Sequence, residues 1–479
     1  MHSNILLNHT FVLMMRFLKH IGLLVGIACC LSSCKKDFYA DSPSDKLSFS
    51  TDTVSFDTVF TERGSITQCF KILNNCDGIV KIDKIYLENG SSSEFYINVN
   101  GQQGPIVNDI EIDAGDSIFV FVQTKLNEQK RDTALYHEEK LLVDYNSIQS
   151  KVIITAWGQD VVNFKGDCIG TTTFTADKPY VIYDSLVVKE GETLTINAGA
   201  KIYLHYNANI IIYGALKIQG TLESPVQFSS DRLEETYQLL PGQWGSIIFK
   251  PTSSNNSIDY AIIKNGVNGL LFSGDGTHEI SCDISNSRIS NMSGYGIYAQ
   301  VARINSYNCI FANCEYSVVN ILGGQFNSVH NTISNEGTPS GRKYYPSVQI
   351  SDFVADTVTY ALKLVAFYNS IIVGSMTNEI TISSKNNTSL PCSFQNCLLR
   401  DTYTKVDSVY YKDNSFYDKE KKLFASSTSF VLDTLSQAEN IGNINFANLY
   451  PNDLHNHSRI SDEKPDVGAL EYYYEEKKD

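Results

Sequence analysis

Apolar and polar positions alternate with period two through residues 47–160, as in Ile82-Asp-Lys-Ile85-Tyr-Leu87, Ile110-Glu-Ile112, Ile118-Phe-Val120-Phe-Val122 and Val152-Ile-Ile154. The turn signals Asn74-Asn75, Asn89-Gly90 and Ala114-Gly115-Asp116 separate them. This pattern predicts about seven or eight short strands, and hence an antiparallel β-sandwich of immunoglobulin type. The chain lacks the Cys…Trp…Cys spacing of antibody domains. From residue 165 to about 400 the pattern changes to runs of three to five β-forming residues broken by Gly and Asn, such as Thr193-Leu-Thr-Ile196, Lys201-Ile-Tyr-Leu204 and Asn209-Ile-Ile-Ile212.

A repeat then becomes visible. Asp259-Tyr-Ala-Ile262, Asn286-Ser-Arg-Ile289, Asn308-Cys-Ile310 and Asn331-Thr-Ile333 carry one apolar slot at intervals of 27, 21 and 23 residues. A second slot, through Gly269-Leu-Leu271, Gly296-Ile-Tyr298 and Ser317-Val-Val319, moves by the same 27 and 21. Short strands at this period predict a solenoid, because a single coil cannot bury its inward residues whereas stacked coils form a continuous apolar column. Thirteen Asn fall between residues 255 and 335. Asn tolerates left-handed backbone and stacks into side-chain ladders at turns. Residues 335–347 interrupt the repeat before Asn369-Ser-Ile371 and Asn396-Cys-Leu398 resume it. Loops of this kind on a solenoid often lie on a binding face. Spacing over residues 401–465 is irregular, and 401–479 is expected to form degenerate coils and a cap. The expectation is that the sandwich covers one end of the solenoid and this stretch the other, since solenoid ends expose strand edges.

Composition narrows the function. Hydrophobic residues make up 42% and charged residues 19%, which is globular rather than disordered. A formal charge of −15 and a pI near 5.1 argue against nucleic acid as a partner. Residues 1–33 contain no acid, and Arg16, Lys19 and His20 precede the apolar run Ile21–Leu31, too short to span a bilayer and suited to a signal peptide. Met14 or Met15 makes a better start than Met1. The run ends in Leu31-Ser-Ser-Cys34, which resembles a bacterial lipobox. That resemblance makes Cys34 the lipidated first residue of the mature chain. Residues 34–46 then form a flexible tether, and the protein is held on a membrane without spanning it. Loss of Arg16 and Lys19 with the leader shifts the charge to −17. Lys35-Lys36-Asp37 partly resembles the acid-containing export patch of Bacteroidetes-type lipoproteins. This implies an outer-membrane lipoprotein, on the cell surface rather than the periplasmic face. Eight cysteines remain after Cys34, none in C-x-x-C spacing. They are expected as buried thiols, with a Cys69–Cys76 bridge as an open alternative.

The coil region is similar to the right-handed parallel β-helix of the pectate-lyase-like superfamily. The resemblance rests on Gly220-Thr-Leu-Glu-Ser-Pro225, Pro241-Gly-Gln-Trp244-Gly, the Asn slots, and Asp466-Val-Gly-Ala-Leu-Glu471. With Gly64-Ser-Ile-Thr67 opening a strand, Ala114-Gly-Asp-Ser117 as a turn and Ala156-Trp-Gly-Gln159 closing the domain, residues 47–160 resemble the Ig-like modules of envelope lipoproteins. The expected organisation is therefore all-β: leader 1–33, lipidated tether 34–46, Ig-like sandwich 47–160, right-handed parallel β-helix 165–400, and degenerate coils with a cap over 401–479.

The resemblance speaks to fold more than to activity. Family lyases need clustered carboxylates for calcium, but Asp259, Asp275, Glu279, Asp283 and Glu315 are scattered. The paired Asp, Gly-His-Gly and Arg-x-Lys of polygalacturonases are absent. No metal site and no cofactor are expected. The interrupting loop carries Arg342, Lys343, Tyr344 and Tyr345, with His330 upstream. Cations beside tyrosines suit an anionic sugar, since charge neutralises carboxylates and rings stack on sugar faces. Trp244, behind the loop Asp231–Tyr237, is expected to pack in a coil. His455-Asn-His457 lacks an obvious ligand partner. These features favour a monomeric, non-catalytic envelope lipoprotein with a binding or adhesion face, with polysaccharide as the possible ligand. The alternatives are a divergent polysaccharide lyase or glycoside hydrolase, and a purely structural surface protein.

Overall fold

The structure is a computed structural model that describes residues 38–354, 358–402, 409–426, 428–461 and 464–473. The leader 1–33, Cys34 and residues 35–37 lie outside them. The described residues form two compact units: one reaches Gln129 and resumes over Ala134–Gln159, and the other takes Lys130–Thr133 and the chain from Asp160 onward.

The first unit is a sandwich of two five-stranded sheets. One sheet contains β1 (Ser48–Phe49), β3 (Gln68–Leu73), β8 (Ser117–Thr124), β5 (Phe95–Val99) and β6 (Gln102–Gln103), in that order. The other contains β2 (Thr53–Phe60), β10 (Ile148–Gln159), β9 (Leu135–Tyr145), β4 (Val80–Leu87) and β7 (Ile106–Ile112). Pairing is antiparallel except between β2 and β10, which run parallel. The period-two pattern sets the faces. In β8, Ile118, Val120 and Val122 enter the core, while Phe119 and Phe121 face outward. The expected tether is shorter than its sequence implies. Ala40 is buried and donates its amide to Ile79 (2.8 Å), and Asn146 donates to the Ala40 carbonyl (2.9 Å).

The second unit is a parallel β-helix, a 26-stranded sheet in which each strand pairs with its counterpart one coil on. Its inward column on one face runs Phe228, Ile263, Ile289, Phe311, Ile333, Ile372 and Leu399, in direct register. Burying each such side chain is worth about 1.5–3 kcal/mol. This register departs from the Asn-led alignment, which places Ile262, Ile289 and Ile310 together. The true steps are 26, 22 and 22, and the second slot, Leu270–Ile297–Val319, moves by 27 and 22. What sets the register is the corner. Three residues before the inward positions from Ile263 onward stand Tyr260, Asn286, Asn308, His330, Asn369 and Asn396, all left-handed, with φ from 44° at Asn369 to 53° at Asn308. His330, not Asn331, therefore occupies the Asn slot. Asn308 donates to Asn286 (3.2 Å), and the Asn369 amide lies 3.1 Å from His330 Nε2.

The residue after the corner closes it. Ser287 and Ser370 donate their hydroxyls to the carbonyl two residues back (2.6 and 2.9 Å), and the Cys309 and Cys397 thiols do the same (3.2 Å each). These cysteines substitute for serine in one slot. Cys314 and Cys392 belong to other columns, so the shared five-residue spacing carries no structural equivalence. All eight described cysteines are free, Cys69 and Cys76 included. Burial pushes the thiols of Cys309, Cys314, Cys392 and Cys397 up to about 12.

Tyr411–Lys412 and Ser415–Phe416 still pair in parallel as a short last coil, but the chain after them runs back along the flank of the coils, where an end cap was expected. The strands at Ile310–Cys314, Thr332–Asn335, Ile371–Gly374 and Leu398–Leu399 are buried on both sides. Their outward Ile310, Ala312, Ile371, Val373 and Leu398 pack under Leu423, Phe430, Leu432, Val467 and Leu470. The corner ladder supplies the fastenings. Asn369 exchanges hydrogen bonds with the Asn443 backbone (2.9 Å each), Asn308 donates to the Asn452 carbonyl (2.9 Å), and Gly468 donates to the Asn369 carbonyl (2.8 Å). Arg459, wholly buried, binds Asn308 (3.1 Å), the Gly468 carbonyl (3.1 Å) and Glu471 (2.7 Å).

Two buried groups give opposite pH dependences. Burial, aided by Arg459, holds His330 well below its ordinary 6.5. Its folded state binds fewer protons than the unfolded state, so this contribution is complete above 6.5 and is lost as pH falls. Burial raises the Glu471 carboxyl from 4.5 to about 7. The folded state then binds more protons, and stability is lost as pH rises from 4.5 to about 7. In melts across pH 4.5–7.5, H330N should fold and shed the acid-side loss, because Asn is the ladder's own residue. E471Q should shed the loss between 4.5 and 7. A C309S variant should melt within a few degrees of wild type, whereas C309V, which cannot donate, should melt clearly lower.

Candidate functional site

The interrupting loop follows the strand Thr332–Asn335 in the coil that runs from His330 to Asn369. Two excursions lengthen this coil. One spans residues 336–347, and the other carries the short hairpin Phe353–Val354 with Val358–Thr359. Together they stretch the corner interval from His330 to Asn369 to 39 residues.

Arg342 does not present its charge to solvent. Its guanidinium donates to both oxygens of Glu379 (2.6 and 3.0 Å), to Ser375 (2.8 Å) and to the Tyr345 carbonyl (2.8 Å). Glu379 is wholly buried and also accepts from the Ser347 amide (2.9 Å) and hydroxyl (2.7 Å) and the Met376 amide (2.7 Å). The pair is a fork-to-fork ion pair that pins the loop to the next coil. His330 is buried in the corner ladder and does not join the loop. Lys343 and Tyr344 are exposed, Tyr344 to 97%. With Arg342, Ser375, Met376, Thr377 and Asn378 they line a shallow depression of about 460 Å³.

Tyr345 turns to the side and begins a row of tyrosines. Its ring lies 4.9 Å from Tyr316, which lies 5.4 Å from Tyr295, which lies 5.3 Å from Tyr298. All four are half-buried. Partial burial raises the phenols of Tyr295 and Tyr298, so they remain protonated hydrogen-bond donors at neutral pH. The row is missed when the loop is read alone. Its signal is that Tyr295 and Tyr316 each precede the second apolar slot on successive coils.

Glu336 sits at the start of the same loop. Desolvation raises its carboxyl, the neighbouring Glu379 adds to this, and Arg400 and Arg342 oppose it. Arg400 lies 5.6 Å from the Tyr417 ring, and Tyr417 feels the Glu336 charge. The remaining sequence candidates serve packing. Trp244 is wholly buried and donates to the Lys264 carbonyl (2.8 Å), and Arg232 covers Tyr237 at 3.9 Å. The amides of His455 and His457 both donate to Asp453 (2.8 and 2.7 Å), and the His457 ring stacks on Tyr473 at 4.3 Å.

A family model described as a pectate-lyase like beta helix domain matches residues 166–307, the first part of the coils. No curated protein matches the chain. Among solved structures, the catalytic unit of a thermostable GH87 alpha-1,3-glucanase from Streptomyces thermodiastaticus strain HF3-3 is similar at 9% identity and a TM-score of 0.21, over 72% of this chain and 75% of that one. The ASH / PapD-like domain of human CEP192 (PapD-like domain 7) is similar at 13% identity and a TM-score of 0.17, over 26% of this chain and 92% of that one.

The ion pair and the exposed cation should separate cleanly on mutation. E379A leaves a buried guanidinium uncompensated and should destabilise the protein by about 3–5 kcal/mol in denaturant melts. K343A should change stability by less than about 0.5 kcal/mol.

Proposed function

We propose that the protein is a membrane-anchored envelope lipoprotein, lipidated at Cys34 and carried on the outer membrane, whose β-helix binds an acidic polysaccharide without cleaving it. The observation that carries this reading is the row Tyr298–Tyr295–Tyr316–Tyr345, which ends beside exposed Lys343 and Tyr344. Aromatic edges and faces at this spacing offer successive contacts to sugar C–H surfaces, and the ammonium offers a partner for a uronate. Arg342 has the chemistry of a lyase base, but it is spent on Glu379, which supports binding over catalysis.

A second reading, a divergent polysaccharide lyase or glycoside hydrolase, draws on Glu336. Its raised carboxyl near Arg400 and Tyr417 is the arrangement a general acid would use. Affinity electrophoresis in gels containing acidic polysaccharides tests the first reading. The chain from residue 35 should be retarded, and the K343A/Y345A variant about tenfold less so. Release of unsaturated or reducing products, abolished by E336Q, would establish the second reading instead. In cells, C34A should move the protein from the membrane to the soluble fraction.

A further inference from the structure

The outer face of β5, β6 and β8 in the sandwich carries its own ligand-shaped chemistry. Side chains alternate across these strands, so the residues on one face are set by register. Tyr96 stands opposite Gln123, and Asn98 stands between Phe121 on one side and Gln103 on the other. The result is a checkerboard of rings and carboxamides. Tyr96 is 56% exposed and Phe121 38%. Ser91 and Ser93 from the turn before β5, and Gly104-Pro105 after β6, help line a cavity of about 670 Å³, within the usual range for small-ligand sites. Thr67 closes one side and accepts from the Gln123 amide (2.6 Å).

The lining contains no charged side chain, in a protein whose formal charge is −15. Exposed aromatic rings supply stacking surface, and Asn98, Gln103, Gln123 and the serines supply paired donors and acceptors. An anionic ligand would find no cation here. Gln123 donates to Thr67 and Asn98 Oδ1 accepts from the Gly101 amide (2.9 Å), and an acyl chain could not meet the further donors and acceptors of these carboxamides, at a desolvation penalty. A peptide strand would need an edge to pair with, and the edge strand β6 has two residues. A neutral sugar meets all the conditions, since it has flat C–H faces, vicinal hydroxyls and no charge.

We infer that the sandwich holds a second, independent glycan site, selective for neutral oligosaccharides. It does not rest on the loop of the β-helix. The test is affinity electrophoresis of the full mature chain in gels of β-glucan, mannan and xylan, with polygalacturonate as the acidic comparison. At least one neutral polysaccharide should retard the protein, a soluble oligosaccharide of the same composition should compete, and Y96A/F121A should weaken retention by about tenfold or more. K343A/Y345A should leave that retention unchanged, which separates this site from the proposed loop. Q103A, which removes an exposed carboxamide, gives the same readout if the double variant melts early. Retardation by polygalacturonate alone, retention that the soluble sugar does not compete, or undiminished binding by both cleft variants would overturn the inference.

Discussion

The left-handed corner is the constraint on which the β-helix depends. A coil must turn sharply without losing register, and one residue at positive φ accomplishes the turn. That residue sits three positions before the inward side chain of the next strand, so it sets which residues point into the column. Asn adopts this conformation at small cost and bonds its neighbours along the stack. The corner is also where the fold admits variation. His330 occupies it at the coil that carries the long excursions, and the position that follows is serine at 287 and 370, cysteine at 309 and 397, alanine at 261 and asparagine at 331.

The same ladder organises the C-terminal stretch. Corner amides that have bonded their neighbours still have a donor or acceptor facing outward, and the stretch from Leu423 to Leu470 uses them. This accounts for strands that are apolar on both sides, since their outward Ile and Leu residues face this covering and not water. It also explains the buried Arg459. The residue sits where the stretch folds back on itself, joins Glu471 to a corner Asn, and would be costly to bury without both.

The site was legible in part. Lys343, Tyr344 and Tyr345 stand out as a cluster in an interruption of the repeat, and the structure keeps Lys343 and Tyr344 at the surface. Arg342 could not be separated from them by residue type, because its partner Glu379 lies on the next coil and only packing brings the two together. Tyr295 and Tyr316 sit far from the loop in sequence, and stacking of coils places them beside it. The sandwich cleft is likewise a product of strand register, which sets Asn98 between Phe121 and Gln103.

By itself the sequence determined the all-β class, the alternation that makes a sandwich, the change to a solenoid near residue 165, and the approximate period of the coils. These follow from local rules: strand periodicity, turn residues, and the need of a short coil to stack. The exact register needed the structure, because Ile310 and Phe311 are both apolar and alternation alone does not say which faces inward; the corner at Asn308 turns Phe311 into the column, and the covering stretch lets the outward Ile310 be apolar. The course of the described residues between 417 and 473 was decided there too. With no repeat of their own, they take their path from unmet hydrogen bonds and apolar surface that the coils create only once they are stacked.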